Sequence, residues 1–255
     1  MIDADSIIYN RASALEVELP SEEESQDGLP EYISLYVNPD EVLAAFWTDI
    51  NGLRKQYRAD EVFVAITDSG KNYRLGIDPN YKGNRAHARK PLAVRTVRDH
   101  LKKDDDVYFR PTLEADDVIG ILMTMKTYRD DERICWSPDK DMRTITGWHC
   151  GPDHPEPVYV WPEEADQMHL IQTVAGDSVD GIPGLPGVGP VSGRKWLEKQ
   201  GWTWESALAL ADSKGFDEDY LLTQARLTRI LRRQDYNFKL KQPRLWTPDN
   251  LKTDL

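Results

Sequence analysis

Acidic residues recur along this chain in short groups. They are Asp3 in the opening segment IDADS, Asp68 directly after EVFVAIT, and Glu114, Asp116 and Asp117 in EADD. Asp139 and Asp141 follow in SPDKD, and Asp177 and Asp180 in GDSVD. Each group stands where a parallel sheet would end a strand or begin the next helix. In open α/β sheets the ligand crevice lies beyond the carboxyl ends of the strands. Carboxylates gathered there repel one another unless cations neutralise them. Hard divalent ions with oxygen ligands are the natural partners; Mg²⁺ comes first because it also binds phosphates, with Mn²⁺ the nearest substitute. Two such ions about 4 Å apart can activate a water and stabilise the leaving oxygen of a phosphodiester. Taken singly, each group has a simpler explanation. EADD suits the first turn of a helix, SPDKD suits a turn, and Asp3 and Asp5 suit helix caps. The whole set favours the metal reading.

Four apolar runs read as strands to carry these acids: Glu61–Thr67, Val107–Arg110, Arg133–Ser137 and Val158–Trp161. Helical patterns lie between them, so the expected class is α/β with a central, mostly parallel sheet flanked by helices. Glu114–Tyr128 is one such pattern, with Thr112 as its N-cap; Pro162–Val174 and Asp217–Tyr236 are others. Ser21–Gly28 (SEEESQDG) reads as a solvated acidic loop. Almost nothing precedes Asp3, although a central strand usually needs about five residues. The expectation is that part of the first strand lies upstream of the numbered start.

Two further segments bear on phosphate. GIPGLPGVGP, from Gly181 to Pro190, precedes a helix that runs to about Leu197. Gly187 and Gly189 can take positive φ, and Pro190 suits the first helical position. Outward amides at a helix N-terminus make an anion site, the arrangement of a helix–hairpin–helix that grips a DNA backbone without reading its sequence. Arg194 and Lys195 follow it. Between Lys71 and Lys103, ten Lys and Arg residues face only Asp78 and Asp99. Asp78-Pro79 starts a helix pattern that places Lys82 and Arg85 on one face, where they could stabilise charge developing on a phosphate. Tyr81 offers a ring for stacking on an unpaired base. Lys71 and Arg74 extend the basic arm, and Arg226, Arg229, Arg232 and Arg233 form a second basic run.

The chain has 255 residues, 44 acidic against 32 basic, and a formal net charge of −12. Bulk coating of nucleic acid by positive charge is therefore excluded, whereas a sorted charge distribution focused on a polyanion is not. No apolar run approaches the roughly 18 residues needed to span a bilayer. Two cysteines cannot form a disulfide framework, which fits a reducing cytosol. His149, Cys150 and His154 match no familiar zinc spacing. Walker, Rossmann and nucleophile-elbow patterns are absent.

IDADS, TDSGK, NYKGNR, EADDVIG, SPDKD and GDSVDGIPGLPGVGP, in this order from Asp3 to about Tyr236, resemble the 5′-nuclease (flap endonuclease) superfamily. With LTRILRRQDYNF near the end, they look most like its bacteriophage 5′–3′ exonuclease branch. The resemblance implies a PIN-like 5′-nuclease fold with a helical arch over the active site and a helix–three-turn–helix module. It divides the chain into a nuclease domain over residues 1–175 with the arch at 70–103, a helical module over 176–236, and a tail over 237–255. It assigns Asp3, Asp68, Glu114, Asp116, Asp117, Asp139, Asp141, Asp177 and Asp180 to metal binding. Lys82 and Arg85 match the arch residues at the scissile phosphate, and Tyr81 the neighbouring aromatic. Gly187 and Gly189 match the duplex hairpin, where the family can also hold K⁺; no ligand role is carried onto Asp5.

The implied protein is a monomeric, Mg²⁺-dependent 5′–3′ exonuclease or flap endonuclease acting on DNA 5′ ends, with RNA–DNA hybrids as a further substrate. Its place would be the cytoplasm, that of the host cell if phage-encoded. Two other readings stand beside it. A haloacid-dehalogenase-like phosphatase would use Asp3-Ala4-Asp5, and a non-catalytic DNA-junction binder would keep the scaffold without cleaving.

Overall fold

The chain enters its central sheet at once. In the computed structural model, which describes residues 1–21, 32–85, 88–125 and 132–252, β1 (Ile2–Asp3) leads directly into α1 (Ala4–Leu15). Asp3 ends the strand and caps the helix, its side chain accepting from the Asp5 amide. A separate antiparallel hairpin follows, β2 (Val17–Pro20) with β3 (Ile33–Tyr36). Most of the acidic stretch Ser21–Gly28, from residue 22 on, lies outside the described residues. Asn38 then caps α2 (Pro39–Gln56), which has Pro39 at its start, Asp40 and Glu41 in its first turn, and Arg54 and Lys55 in its last. That order satisfies free amides and matches the helix dipole at both ends.

β4 (Val64–Ala65), α3 (Ala93–Leu101), β5 (Val107–Tyr108), α4 (Ala115–Met123) and β6 (Ile134–Trp136) continue the alternation. β7 (Gly147–Gly151) and β8 (His154–Val160) complete a sheet of order β5-β4-β1-β6-β7-β8. Its strands are parallel except for the β7–β8 pair. β1 sits at the centre, Asp3 in register with Ala65, where the strand order switches direction. Crevices form at such a switch point. The apolar faces of α1, α2 and α3 cover one side around Ile8, Phe46 and Leu101. α4 covers the other with Ile119, Ile121 and the later residues Ile230 and Leu231.

α5 (Pro162–Ala175), α6 (Pro190–Gln200), α7 (Trp204–Ser213) and α8 (Glu218–Thr228) pack around Leu170, Leu197, Trp204 and Trp246 as a helical module. A short hairpin of β9 (Tyr236–Asn237) and β10 (Gln242–Pro243) follows. Among the described residues, no helix is long and apolar enough to cross a membrane.

Several expected elements are corrected. Thr112 is not the cap of α4: it lies outside the helix at φ 67, while Thr67 Oγ1 takes the Ala115 amide. α4 ends at Met123, where Thr124 returns its hydroxyl to the Gly120 carbonyl. The segment Asp78–Arg85 is a series of turns closing in a short 3₁₀ helix at Gly83–Arg85, because its amides and side chains bond outward to the Asp177–Ile182 loop. The helix expected to reach Tyr236 stops at Thr228. There Arg74 claims the carbonyls of Leu227 and Arg229. Beyond that point Arg229 and Arg232 turn inward and pair with Asp235 and Asp166, and Arg226 donates to the Trp246 carbonyl. Arg229 and Arg232 thus fasten the interior, while Arg233 stays exposed.

Arg74 is the main fastener. Buried at 3% exposure, its guanidinium donates to both oxygens of Asp117, at 2.8 and 2.9 Å, and to the carbonyls of Leu227 and Arg229. Asp117 also accepts from the Leu231 amide. The pair thus joins the start of α4 to the end of α8. Removing one partner of a buried pair strands the other charge, at a cost of about 3–5 kcal/mol. Arg74→Met should lower the unfolding free energy by about that much in urea titrations. A loss below about 1 kcal/mol would show that the two elements hold together without it.

Candidate active site

The acids at the strand ends meet beside the centre of the sheet. Glu114, Asp116, Asp139, Asp141, Asp177 and Asp180 line one pocket, with Arg74, Tyr81 and Gln172. Each reaches it for a local reason. Asp116 sits in the first turn of α4, which follows β5. Asp139 caps the turn after β6, its carboxylate accepting from the Asp141 amide at 2.8 Å. Asp177 closes its own loop by accepting from the Val179 amide. Ser137 ties the first pair of strands together: its hydroxyl donates to Asp3 at 3.0 Å and accepts from the Asp139 amide at 3.1 Å.

The electrostatics record the crowding. Burial pushes the Asp3 carboxyl from the ordinary 3.8 up to about 7, with Asp5 adding to the shift. Asp116 is pushed up by loss of water and by the charges of Asp3, Asp139 and Glu114. Asp141 rises to about 7 through burial and its neighbours Asp139 and Asp177. Glu114 goes the other way: against burial, Arg74 and Lys82 hold it below the ordinary range. Two subsites result, one in which burial and then like charge raise the carboxyls, and one supplied with counter-charge. In the second, Lys82 Nζ contacts Glu114 and lies 3.4 Å from Asp180, while Arg85 reaches Asp180 at 2.8 Å.

Among the described residues, no three His, Cys, Asp or Glu side chains already stand close enough to hold a metal. The donor chemistry nonetheless fits a hard cation. The pocket's ligating side chains offer oxygen, like charges outnumber the cations acting on Asp116 and Asp141, and the buried Gln172 Oε1 has no hydrogen-bond partner among the described residues. Oxygen-only sites suit Mg²⁺ and Mn²⁺.

Not every expected residue arrives there. Asp117 is occupied otherwise here: its two oxygens serve Arg74 and the Leu231 amide, so in this structure it acts as a fastener. Arg74, expected on the basic arm, is buried with it. Tyr81 is buried, packed with Ile182 and Leu227, and its hydroxyl donates to Glu114 and Asp180. It cannot stack on a base from that position. Asp68 stands apart from the pocket lining, accepting from the Thr112 and Gly70 amides beside Lys102. Lys71 is exposed.

At the hairpin, Gly187 takes φ 75, as a tight turn requires, whereas Gly189 has φ −100 and needs no glycine for its backbone. Pro190 opens α6, and Arg194 and Lys195 are exposed on it. Lys214, which the sequence reading passed over, brings its ammonium close to Gly187 from the end of α7. Asn84 was also missed; its side chain bonds to the Asp177–Ile182 loop. Neither residue type is diagnostic without the fold. Asp5 is engaged by Arg98 and the Thr67 amide, leaving no free second acid for an aspartyl-phosphate mechanism.

Comparison with known proteins identifies the family and the fold. The family profile described as "5'-3' exonuclease, N-terminal resolvase-like domain" matches residues 1–151. The exodeoxyribonuclease of Enterobacteria phage T3 is 26% identical over 291 aligned residues, covering 97% of this chain and 92% of that protein. The exonuclease of Escherichia phage T7 is also 26% identical, over 97% of this chain and 93% of its own. Flap endonuclease Xni of Shewanella baltica (strain OS223) is 30% identical over 161 residues, 57% of this chain and 60% of that one. Among solved structures, a phage T5 protein co-crystallised with metal ions superposes with TM-score 0.63 at 16% identity, covering 89% of this chain and 87% of that one. A T5 flap endonuclease in a pseudo-enzyme–product complex with DNA and metal ions gives 0.58 at 17%, over 73% and 80%. These two share the fold. With its resolvase-like domain matched over more than half its length, the chain belongs to the 5′–3′ exonuclease family and is a 5′-nuclease.

Proposed function

We propose that the protein is a Mg²⁺-dependent 5′–3′ exonuclease and flap endonuclease that hydrolyses phosphodiesters at the 5′ ends of duplex or flapped DNA. The observation that carries this reading is the Asp116 carboxylate, buried and then crowded by Asp3, Asp139 and Glu114 at the switch point of the sheet. A site built to repel itself is stabilised by bound cations. Asp3, Glu114, Asp116, Asp139 and Asp141 would hold the first ion, and Asp177 and Asp180 a second, directly or through water. Bound there, two Mg²⁺ ions would supply an activated water and neutralise the leaving oxygen of an in-line displacement.

This chain's own residues do the rest. Lys82 and Arg85 present positive charge at the pocket mouth, where it can stabilise charge gathering on the scissile phosphate. The hairpin around Gly187 and the start of α6, beside the exposed Arg194 and Lys195, are suited to a duplex backbone and to a K⁺ ion shared with it. Lys71 adds a backbone contact nearer the pocket. Acids elsewhere keep the net charge negative, so attraction is focused on these surfaces. The products would be a 5′-phosphate and a 3′-hydroxyl.

A duplex labelled at one end tests the polarity and the metal need together. With the label at the 5′ end, Mg²⁺ should release short labelled products at once, and EDTA should stop all cleavage; early shortening from the 3′ end would refute the reading. A 5′-flap substrate and an RNA–DNA hybrid run alongside define its range. Asp141→Ala should reduce cleavage to background while leaving duplex binding intact, and wild-type rates from that variant would remove its assigned role.

The same crowding predicts a stability cost. Between pH 3.8 and about 7 the folded chain holds protons on Asp3 and Asp141 that the unfolded chain has released. Stability without divalent ions should therefore fall as pH rises across that window. Added Mg²⁺ should reverse the fall near neutrality. Asp116→Asn should raise the metal-free melting temperature by about 2–4 °C, the shift expected of about 1 kcal/mol in a chain of this size. The variant should also lose most of the Mg²⁺-induced increase; an unchanged Mg²⁺ response in calorimetry would place the ions elsewhere.

A further inference from the structure

The segment that carries Lys82 and Arg85 is held to the Asp177–Ile182 loop by more than charge. The Asn84 side-chain amide donates to the carbonyls of Ser178 and Val179, at 3.0 and 3.1 Å. Arg85 Nε donates to the Val179 carbonyl at 2.9 Å, and the Lys82 amide to the Asp180 carbonyl at 2.9 Å. Gly181, where the loop meets this segment, takes φ 73, a backbone conformation that favours glycine. Lys82 itself takes φ 56, a left-handed conformation that a residue with a Cβ keeps only where its surroundings impose it. In that conformation its ammonium lies against Glu114 and Asp180.

We infer that Asn84 is a positioning residue for cleavage: it latches the Lys82–Arg85 segment to the Ser178–Asp180 backbone and so aims both cations at the scissile phosphate. This rests on the nuclease reading above. Its two N–H donors meet two carbonyls, a task that a carboxylate of the same shape cannot perform. Asn84 is exposed, so its loss should leave the core intact. The geometry acts on rate because misplacing a reacting group by about 1 Å can cost on the order of 10²-fold.

The test uses the whole protein with a 5′-flap DNA under single-turnover conditions. Asn84→Asp and Asn84→Ala should each slow cleavage by roughly 10²-fold, with DNA affinity and melting temperature unchanged. In a background carrying both Lys82→Ala and Arg85→Ala, Asn84→Asp should add little further loss, since residues acting through one another are not additive. Hydrogen exchange gives a readout independent of activity: in Asn84→Asp the Lys82 amide should exchange faster than in the wild type. Wild-type rates in both single variants, a full additional loss in the triple variant, or unchanged exchange at Lys82 would overturn the latch. Should the wild-type protein cleave no 5′ end, the nuclease reading fails, and exchange at Lys82 still decides whether Asn84 holds the segment.

Discussion

Repulsion among carboxylates at the carboxyl end of β1 is the constraint around which this molecule is arranged. Asp3, Asp116 and Asp139 come from three distant parts of the chain and arrive within electrostatic reach of one another. In a pocket partly shielded from water, like charges at such range are costly. The fold tolerates that cost through the scaffold behind it. Ser137 holds Asp3 and Asp139 by one hydroxyl, and the parallel register of β1 with β4 and β6 leaves their carboxyl ends at one level. Strain of this kind, stored where chemistry occurs, is a common trade between stability and activity.

Positive charge is divided between two tasks with opposite requirements. Arg74, Arg229 and Arg232 are buried and bonded to carboxylates and carbonyls, so they close the interior between the sheet and the helical module. Lys82, Arg85, Arg194 and Lys195 stay accessible, on segments whose backbone is fixed by loop contacts or by a helix start. The first group gains from a low dielectric and full pairing; the second must remain available to a polyanion. Net charge alone would have hidden both. Tyr81 links the two groups, lying against Arg74 and Lys82 while its hydroxyl bridges Glu114 and Asp180.

Much of the fold was legible because strands and helices announce themselves by apolar periodicity. The runs at Glu61–Thr67, Val107–Arg110 and Arg133–Ser137 each contain a parallel strand, though only two or three residues of each pair as strand. β7 escaped because GWHCG has no apolar run, its strand character coming from its neighbours β6 and β8. Asp78–Arg85 misled for a related reason. Asp-Pro is a sound helix start, yet the bonds from Asn84 and Lys82 to another loop outweigh local propensity.

For the site, the amino-acid order determined which groups were available: acids at strand ends, a glycine turn before a proline-started helix, and a concentrated basic arm. Those features follow from residue type and spacing, which local backbone geometry translates reliably. Tertiary structure decided what each group faces. Asp116 and Asp117 are adjacent in the chain, but one turn of α4 points Asp116 into the pocket and Asp117 into Arg74. Arg85 and Arg74 read alike in sequence, and only burial separates the charge left for substrate from the charge used to close the core. The energy of a charge depends on its partners and its distance from water, and neither is fixed until distant segments pack.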